Sequence, residues 1–217
     1  MTQTSPPSEA PTRDRIIDAA LRLFAERGYH GTTVGEIEAA AGLTPRAGAL
    51  YKHFPSKEAV LEAAMQQRAE AIDRIDEILA MLPLSDLHAE LTLVGRYALH
   101  EIRAEQQLLR VVMKEGDHFP ELRRAFHERF VRRGYGQAEE WARQTFERHG
   151  VDEPDVRALV AVAFGPIVNF PLMETLFGEP PAGVDEERFI ATWVDTTLTL
   201  LRARGVVDEL EKEETTA

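Results

Sequence analysis

Arg46, Lys52, His53 and Lys57 fall within a stretch, Ala39 to Lys57, that contains no acid. Hydroxyls at Thr44 and Tyr51 are interleaved with them. Ammonium, guanidinium and hydroxyl groups at this density suit an anionic partner, because cations and O–H donors both satisfy phosphate oxygens. The rest of the chain makes that strip stand out. The 217 residues carry a formal charge of −12. Residues 1–66 hold seven basic and eight acidic groups, and residues 67–217 hold eighteen and twenty-nine. A positive strip on an acidic protein argues for a directed contact rather than non-specific adhesion to polyanions.

Other chemistries lack their residues. There is no Cys, so neither a disulfide framework nor a thiolate zinc site can form. No His-Glu-x-x-His, Gly-rich phosphate loop or Gly-x-Ser-x-Gly elbow occurs, and His118 and His127 stand nine residues apart. The expectation is a protein that is not an enzyme and takes no metal and no cofactor. Met1 to Thr12 has neither the basic nor the apolar region of a secretory signal. The longest weakly polar run, Ala158 to Phe170, falls short of the ~20 residues a bilayer requires. A cytoplasmic protein with no membrane partner is expected.

The elements that must carry the strip are helical. Ile16, Ile17, Ala20, Leu21 and Phe24 recur at helical spacing before Gly28. Thr33 and Glu36 fit a Thr-x-x-Glu capping box opening a helix to Ala41. After Gly42, Thr44-Pro45 reads as an N-cap and first helical position, with the helix running to about His53. Ser56 begins a long helix in which Leu61, Met65, Arg68, Ile72, Ile75, Leu79 and Leu82 form a seam ending at Pro83. Further helices are expected at 86–105, 106–115, 119–149, 154–177 and 185–205. Two short helices joined by a tight turn and bearing cations make a helix-turn-helix, a shape that fits the major groove. The fold class is all-α.

The expected organisation is a disordered arm at 1–12, a helix-turn-helix domain at 13–57, a helical body at 58–208 and an acidic tail at 209–217. In the body, Pro166 and Pro171 interrupt an apolar stretch and should kink or break it near Asn169. Such a bend can wall a ligand pocket or simply help two helices pack.

The N-terminal stretch resembles a known family. Ile16-Ile17-Asp18-Ala19-Ala20, Leu23-Phe24-Ala25-Glu26-Arg27-Gly28-Tyr29, Thr32-Thr33-Val34 and Ile37 look like the start of a TetR-family regulator. Ala40-Ala41-Gly42-Leu43-Thr44 and Gly48-Ala49-Leu50-Tyr51-Lys52-His53-Phe54-Pro55-Ser56-Lys57-Glu58 continue the likeness, which spans Arg13 to Met65, about a quarter of the chain. The family has one residue between the positions of Thr44 and Gly48. This chain has Pro45, Arg46 and Ala47, so either the recognition helix starts early or the turn is longer.

The resemblance implies an all-α homodimer that binds double-stranded DNA and usually a small molecule. The implied function is a sequence-specific transcriptional regulator, most often a repressor, released by a hydrophobic or amphipathic ligand. The alternative is a helical interaction or ligand-sensing module without operator binding. Thr33, Tyr51, His53 and Lys57 look like phosphate contacts, and Gly48 and Ala49 like close approaches to base edges. Arg46 is the candidate base reader, since Arg pairs bidentately with guanine. Thr44, Pro45 and Lys52 complete the DNA-facing set.

The last two helices, near 154–177 and 185–205, would form the dimer interface. There Phe164, Phe170, Leu172, Leu176, Phe189, Trp193, Leu200 and Leu201 fit either that interface or the chain's own core. Candidate ligand contacts are Tyr97, His100, Met113, Phe126, Phe130, Trp141, Phe164, Asn169 and Phe170. The acidity of the body leans toward a neutral or cationic ligand.

Overall fold

The computed structural model describes residues 11–71, 82–84 and 86–206. The expectations for arm residues 1–10, the acidic tail and the seam positions Ile72, Ile75 and Leu79 lie outside them, while Thr12, expected in the arm, is already helical. Among the described residues there are helices and turns and no strand.

Two compact units form. Of the described residues, the first comprises 11–70 together with Gln107–Ala125. Helix α1 spans Thr12–Arg27 and ends where Gly28 takes a positive φ of 81°, which a residue without Cβ adopts at little cost. Helix α2, Val34–Ala40, opens on the expected capping box: Thr33 Oγ1 accepts the Glu36 N–H, and the Glu36 carboxylate accepts the Thr33 N–H at 2.8 Å. Helix α3, Lys57–Ala71, starts where Ser56 Oγ accepts the Ala59 N–H. Ile16, Ile17, Phe24, Ile37, Leu50, Phe54, Val60 and Leu61 are buried. Each such side chain contributes roughly 1.5–3 kcal/mol by leaving water. Within the expected seam, Leu61 and Met65 are buried, and Arg68 reaches out to Asp18 at 3.4 Å.

The 57/58 boundary expected from sequence is not where this unit closes. It extends along α3 and recruits α5, Gln106–Glu115. Lys114 Nζ donates to the carbonyl oxygens of Ala25 and Glu26 at the end of α1, and Glu115 Oε1 accepts the Tyr29 N–H at 2.8 Å. Those partners lie more than 80 residues away, beyond the reach of local pattern.

The second unit holds α4 (Leu87–Ala104), α7 (Arg133–Arg148), α8 (Val156–Phe177) and α9 (Glu186–Ala203). Asp86, Asp155 and Asp185 cap the helices that follow them. The predicted helix at 119–149 is α6 (Pro120–Phe126) and α7 joined by a wide turn, His127–Arg132, with i→i−5 bonding. Helix α4 packs against α8 and α9, and α7 against α8. Leu91, Leu99, Phe146, Ile167, Phe170, Ile190 and Val194 lie at the centre. The Arg103 guanidinium binds the carboxylates of Glu174 and Glu186, tying α4 to α8 and α9.

Two expectations need correction. Helix α8 runs unbroken through Pro166 and Pro171. Packing of Ile167, Phe170 and Pro171 into the core offsets the lost hydrogen bonds. At 22 residues, α8 is also long and apolar enough to cross a bilayer, by length and composition alone. The apolar run expected to stop at Phe170, before Pro171, continues through Leu172 and Met173 because the helix does not end at the proline.

Candidate DNA interface and body cavity

The segment between α2 and α3 departs from the predicted recognition helix. Thr44 to Ala49 is a turn-rich loop, and only Leu50–Lys52 forms a helical turn, of the 3₁₀ type. Arg46 has φ 59° and Gly48 has φ 71°, both in the left-handed region. For Arg46 that conformation costs about 1–2 kcal/mol relative to a right-handed one. The reason lies at the ends of the loop. The Leu43 N–H is held by the Glu38 carbonyl at 2.8 Å, and Leu50 and Phe54 are anchored in the core. With both ends fixed, the residues of the Pro45–Ala47 stretch are taken up by folding the chain back on itself. Thr44 therefore caps no helix, and Pro45 is not a first helical residue.

The loop presents most of the expected DNA-facing groups to solvent. Thr44, Pro45, Arg46, Lys52 and His53 are exposed, Gly48 and Ala49 are half-buried, and Tyr51 is 58% exposed, so its ring is not core. The Arg46 side chain leans over α2: a Cβ added at Gly35 would stand 3.2 Å from Arg46 Cγ.

Thr33 and Lys57 are engaged within the chain. The Thr33 hydroxyl donates to Glu36 Oε2 at 2.7 Å. The Thr33 backbone N–H, then its hydroxyl, hold the Glu36 carboxyl below the ordinary glutamate range, with Arg27 at 2.8 Å adding to the effect. Lys57 Nζ donates to the carbonyl oxygens of Tyr29 and Thr32 at 2.6 and 2.8 Å. It also sits 4.0 Å from the centroid of the Tyr29 ring. Burial pushes the Lys57 ammonium below its ordinary pKa, against the pull of Glu58 and Glu115. The ammonium that the resemblance assigns to phosphate here closes the α1–α2 connection. Nothing in the sequence signals it, because the acceptors are backbone carbonyls 25 and 28 residues away.

In the second unit, an apolar cavity of about 100 Å³ lies among α4, α7, α8 and α9. Tyr97, Trp141 and Phe164, three of the expected ligand contacts, line it together with Leu91, Val160 and Trp193. None of its lining residues is charged. Trp193 is core rather than a free interface residue: it is buried and its Nε1–H donates to the Ala163 carbonyl at 2.7 Å. The Trp141 Nε1–H donates to Glu90 Oε1, while the Leu84 N–H and Arg148 engage the same fully buried carboxylate. Glu90 is thus a buried acid that holds one cavity-wall side chain, Trp141, in place. As one acid among many, only its tertiary partners distinguish it.

The other ligand candidates lie elsewhere. His100 is exposed on α4 and Met113 is 54% exposed on α5. Phe126 and Phe130 stack on each other at 4.8 Å and do not line the cavity. Asn169 and Phe170 border a separate, more open depression of about 340 Å³ with Pro166, Arg188 and Phe189.

Residues 16–64 match the family described as "Bacterial regulatory proteins, tetR family". The HTH-type transcriptional regulator UidR of Escherichia coli (strain K12) is 33% identical over 113 residues, 52% of this chain and 55% of that protein. The chain thus spans about half the length of the curated relatives it matches first. A TetR-family regulator from Mesorhizobium loti MAFF303099 superposes with a TM-score of 0.68 at 22% identity, over 90% of this chain and 97% of that one. The transcriptional regulator FadR of Bacillus subtilis, solved in complex with stearoyl-CoA, gives 0.58 at 21% identity, over 87% and 96%. The fold therefore extends through both units, while the sequence likeness is concentrated at the N-terminus. Residues 16–64 thus carry the sequence of the tetR family of bacterial regulatory proteins, and the chain shares the fold of a solved TetR-family structure.

Proposed function

We propose that this chain is a ligand-responsive transcriptional repressor that binds a near-palindromic operator as a homodimer. The observation that carries the reading is the exposed, acid-free set Thr44, Arg46, Tyr51, Lys52 and His53 on the segment following α2. Lys52 and His53, with the Tyr51 hydroxyl, face phosphates, and Arg46 reads a base edge from the loop. Gly48 and Ala49, with no bulky side chain, permit close approach. Two subunits place these segments in successive major grooves, ~34–36 Å apart. The negative charge of the body is screened at physiological salt, where the Debye length is ~8 Å.

Helices α8 and α9 supply the dimer contact. Val162 and Phe177 of α8 are 70% and 71% exposed, and Leu176 is exposed beside them. Such apolar exposure on one helix is what a second copy would cover.

The effector enters the cavity lined by Tyr97, Trp141, Phe164 and Trp193. Its apolar lining selects a neutral hydrophobic molecule, and the acids that suggested a cationic one are not part of the wall. A ligand releases DNA only through unequal affinity for the two states of the dimer.

Selection from random-sequence duplexes, followed by anisotropy titration at ~150 mM salt, tests the reading. The expected result is a palindromic site bound ~10³-fold or more tighter than scrambled DNA. Uniformly weak binding to every duplex overturns it and favours a helical interaction module.

A further inference from the structure

Glu38 stands near the end of α2 and is fully buried. A buried carboxylate is costly unless it is hydrogen-bonded. Here both ends of one loop converge on it. Its backbone carbonyl accepts the Leu43 N–H at 2.8 Å, and its side-chain Oε1 accepts the Leu50 N–H at 3.0 Å. The eight residues Leu43–Leu50, which include Arg46, Gly48 and Ala49, are thus tied at entry and exit to a single residue. Between those ties, the Ala47 N–H bonds the Thr44 carbonyl at a long 3.3 Å. The second carboxylate oxygen, Oε2, is buried with no hydrogen-bond partner among the described residues. A buried oxygen left in that state favours any rearrangement that brings it a donor.

We propose that Glu38 is the positioning residue of the DNA-reading loop: it fixes both ends of Leu43–Leu50, and its free oxygen takes a further backbone N–H from Ala47–Ala49 when the loop closes on DNA. The proposal rests on the reading of the chain as an operator-binding protein and goes beyond it. Glu38 touches no DNA. It acts on specificity by setting where Arg46 stands, and it leaves the phosphate-facing Lys52 and His53 in place.

The test uses the full-length protein, the duplex that wild type selects from random DNA, and a scrambled duplex of equal length. In Glu38→Gln the amide oxygen still accepts the Leu50 N–H, but an NH₂ donor replaces the second acceptor. Affinity for the selected duplex falls about tenfold, the worth of a hydrogen bond to a charged group, while affinity for the scrambled duplex is unchanged. A merely structural Glu38 would move both affinities together or neither, and either outcome overturns the proposal. Amide hydrogen exchange on wild type gives a second readout that needs no variant. An amide within Ala47–Ala49 gains protection with the selected duplex and not with the scrambled one. Unchanged exchange there overturns the proposal even if operator binding stands. If wild type selects no duplex at all, the operator-binding reading falls first, and this proposal falls with it.

Discussion

Lys57 and Tyr29 hold each other in place twice: the Lys57 ammonium donates to the Tyr29 carbonyl oxygen at 2.6 Å and lies over the Tyr29 ring at 4.0 Å. The contact closes the α1–α2 connection, with the Thr32 carbonyl as its third member. Lys57→Met keeps the stem and removes the donor. We expect a loss of about 1–3 kcal/mol in urea unfolding, from carbonyls left without a partner. The salt slope of DNA binding should not change. A slope that flattens by about one per subunit would place the ammonium on phosphate instead.

Lys52 and Arg46 should separate in their effects. Lys52→Ala should weaken selected and scrambled duplexes alike and reduce the salt slope by about one per lost contact. Arg46→Ala should relax preference at one base position per half-site, at ~1–3 kcal/mol. Because Arg46 also adopts a left-handed backbone, Arg46→Gly separates side chain from conformation: it should lose specificity while raising stability slightly. Anisotropy titrations over a salt series, with duplexes varied at each position, check both expectations.

Gly95 of α4 meets Trp193 of α9 so closely that an added Cβ would stand 2.8 Å from the indole ring. Helix propensity alone makes Gly95→Ala stabilising by about 1 kcal/mol. Overpacking against a buried ring costs about 1–3 kcal/mol and should win, lowering the melting temperature. Since Trp193 walls the cavity, the substitution should also weaken release of DNA by apolar ligands. An unchanged melting temperature would show that the indole swings aside freely.

Glu36 gives a pH signature. Its carboxyl is held below the ordinary range, chiefly by the Thr33 backbone N–H. A depressed carboxyl contributes stability above its unfolded pKa, and that contribution is lost as pH falls through the folded value. Thermal unfolding of wild type and Glu36→Gln should differ near neutral pH and converge in acid. A difference that persists undiminished in acid would mean the carboxyl's charge is not what the cap uses.

Capping boxes, helix periodicity and the Gly28 stop depend on residues a few positions apart, so α1, α2 and the register of the body helices were legible in the sequence. So was the acid-free strip, because charge is a property of composition. The Tyr97, Trp141 and Phe164 cavity wall was only partly legible: aromatic residues at helical spacing look alike in core and pocket. The tertiary structure decided what depends on distant partners. It turned Lys57 inward onto Tyr29, because two carbonyls and a ring offered its ammonium more than solvent did. It unwound the expected recognition helix, because Glu38 and the buried Leu50 fix the ends of a segment whose length exceeds one straight path. It made Trp193 a core residue by pairing its N–H with the Ala163 carbonyl, which no spacing along the chain records.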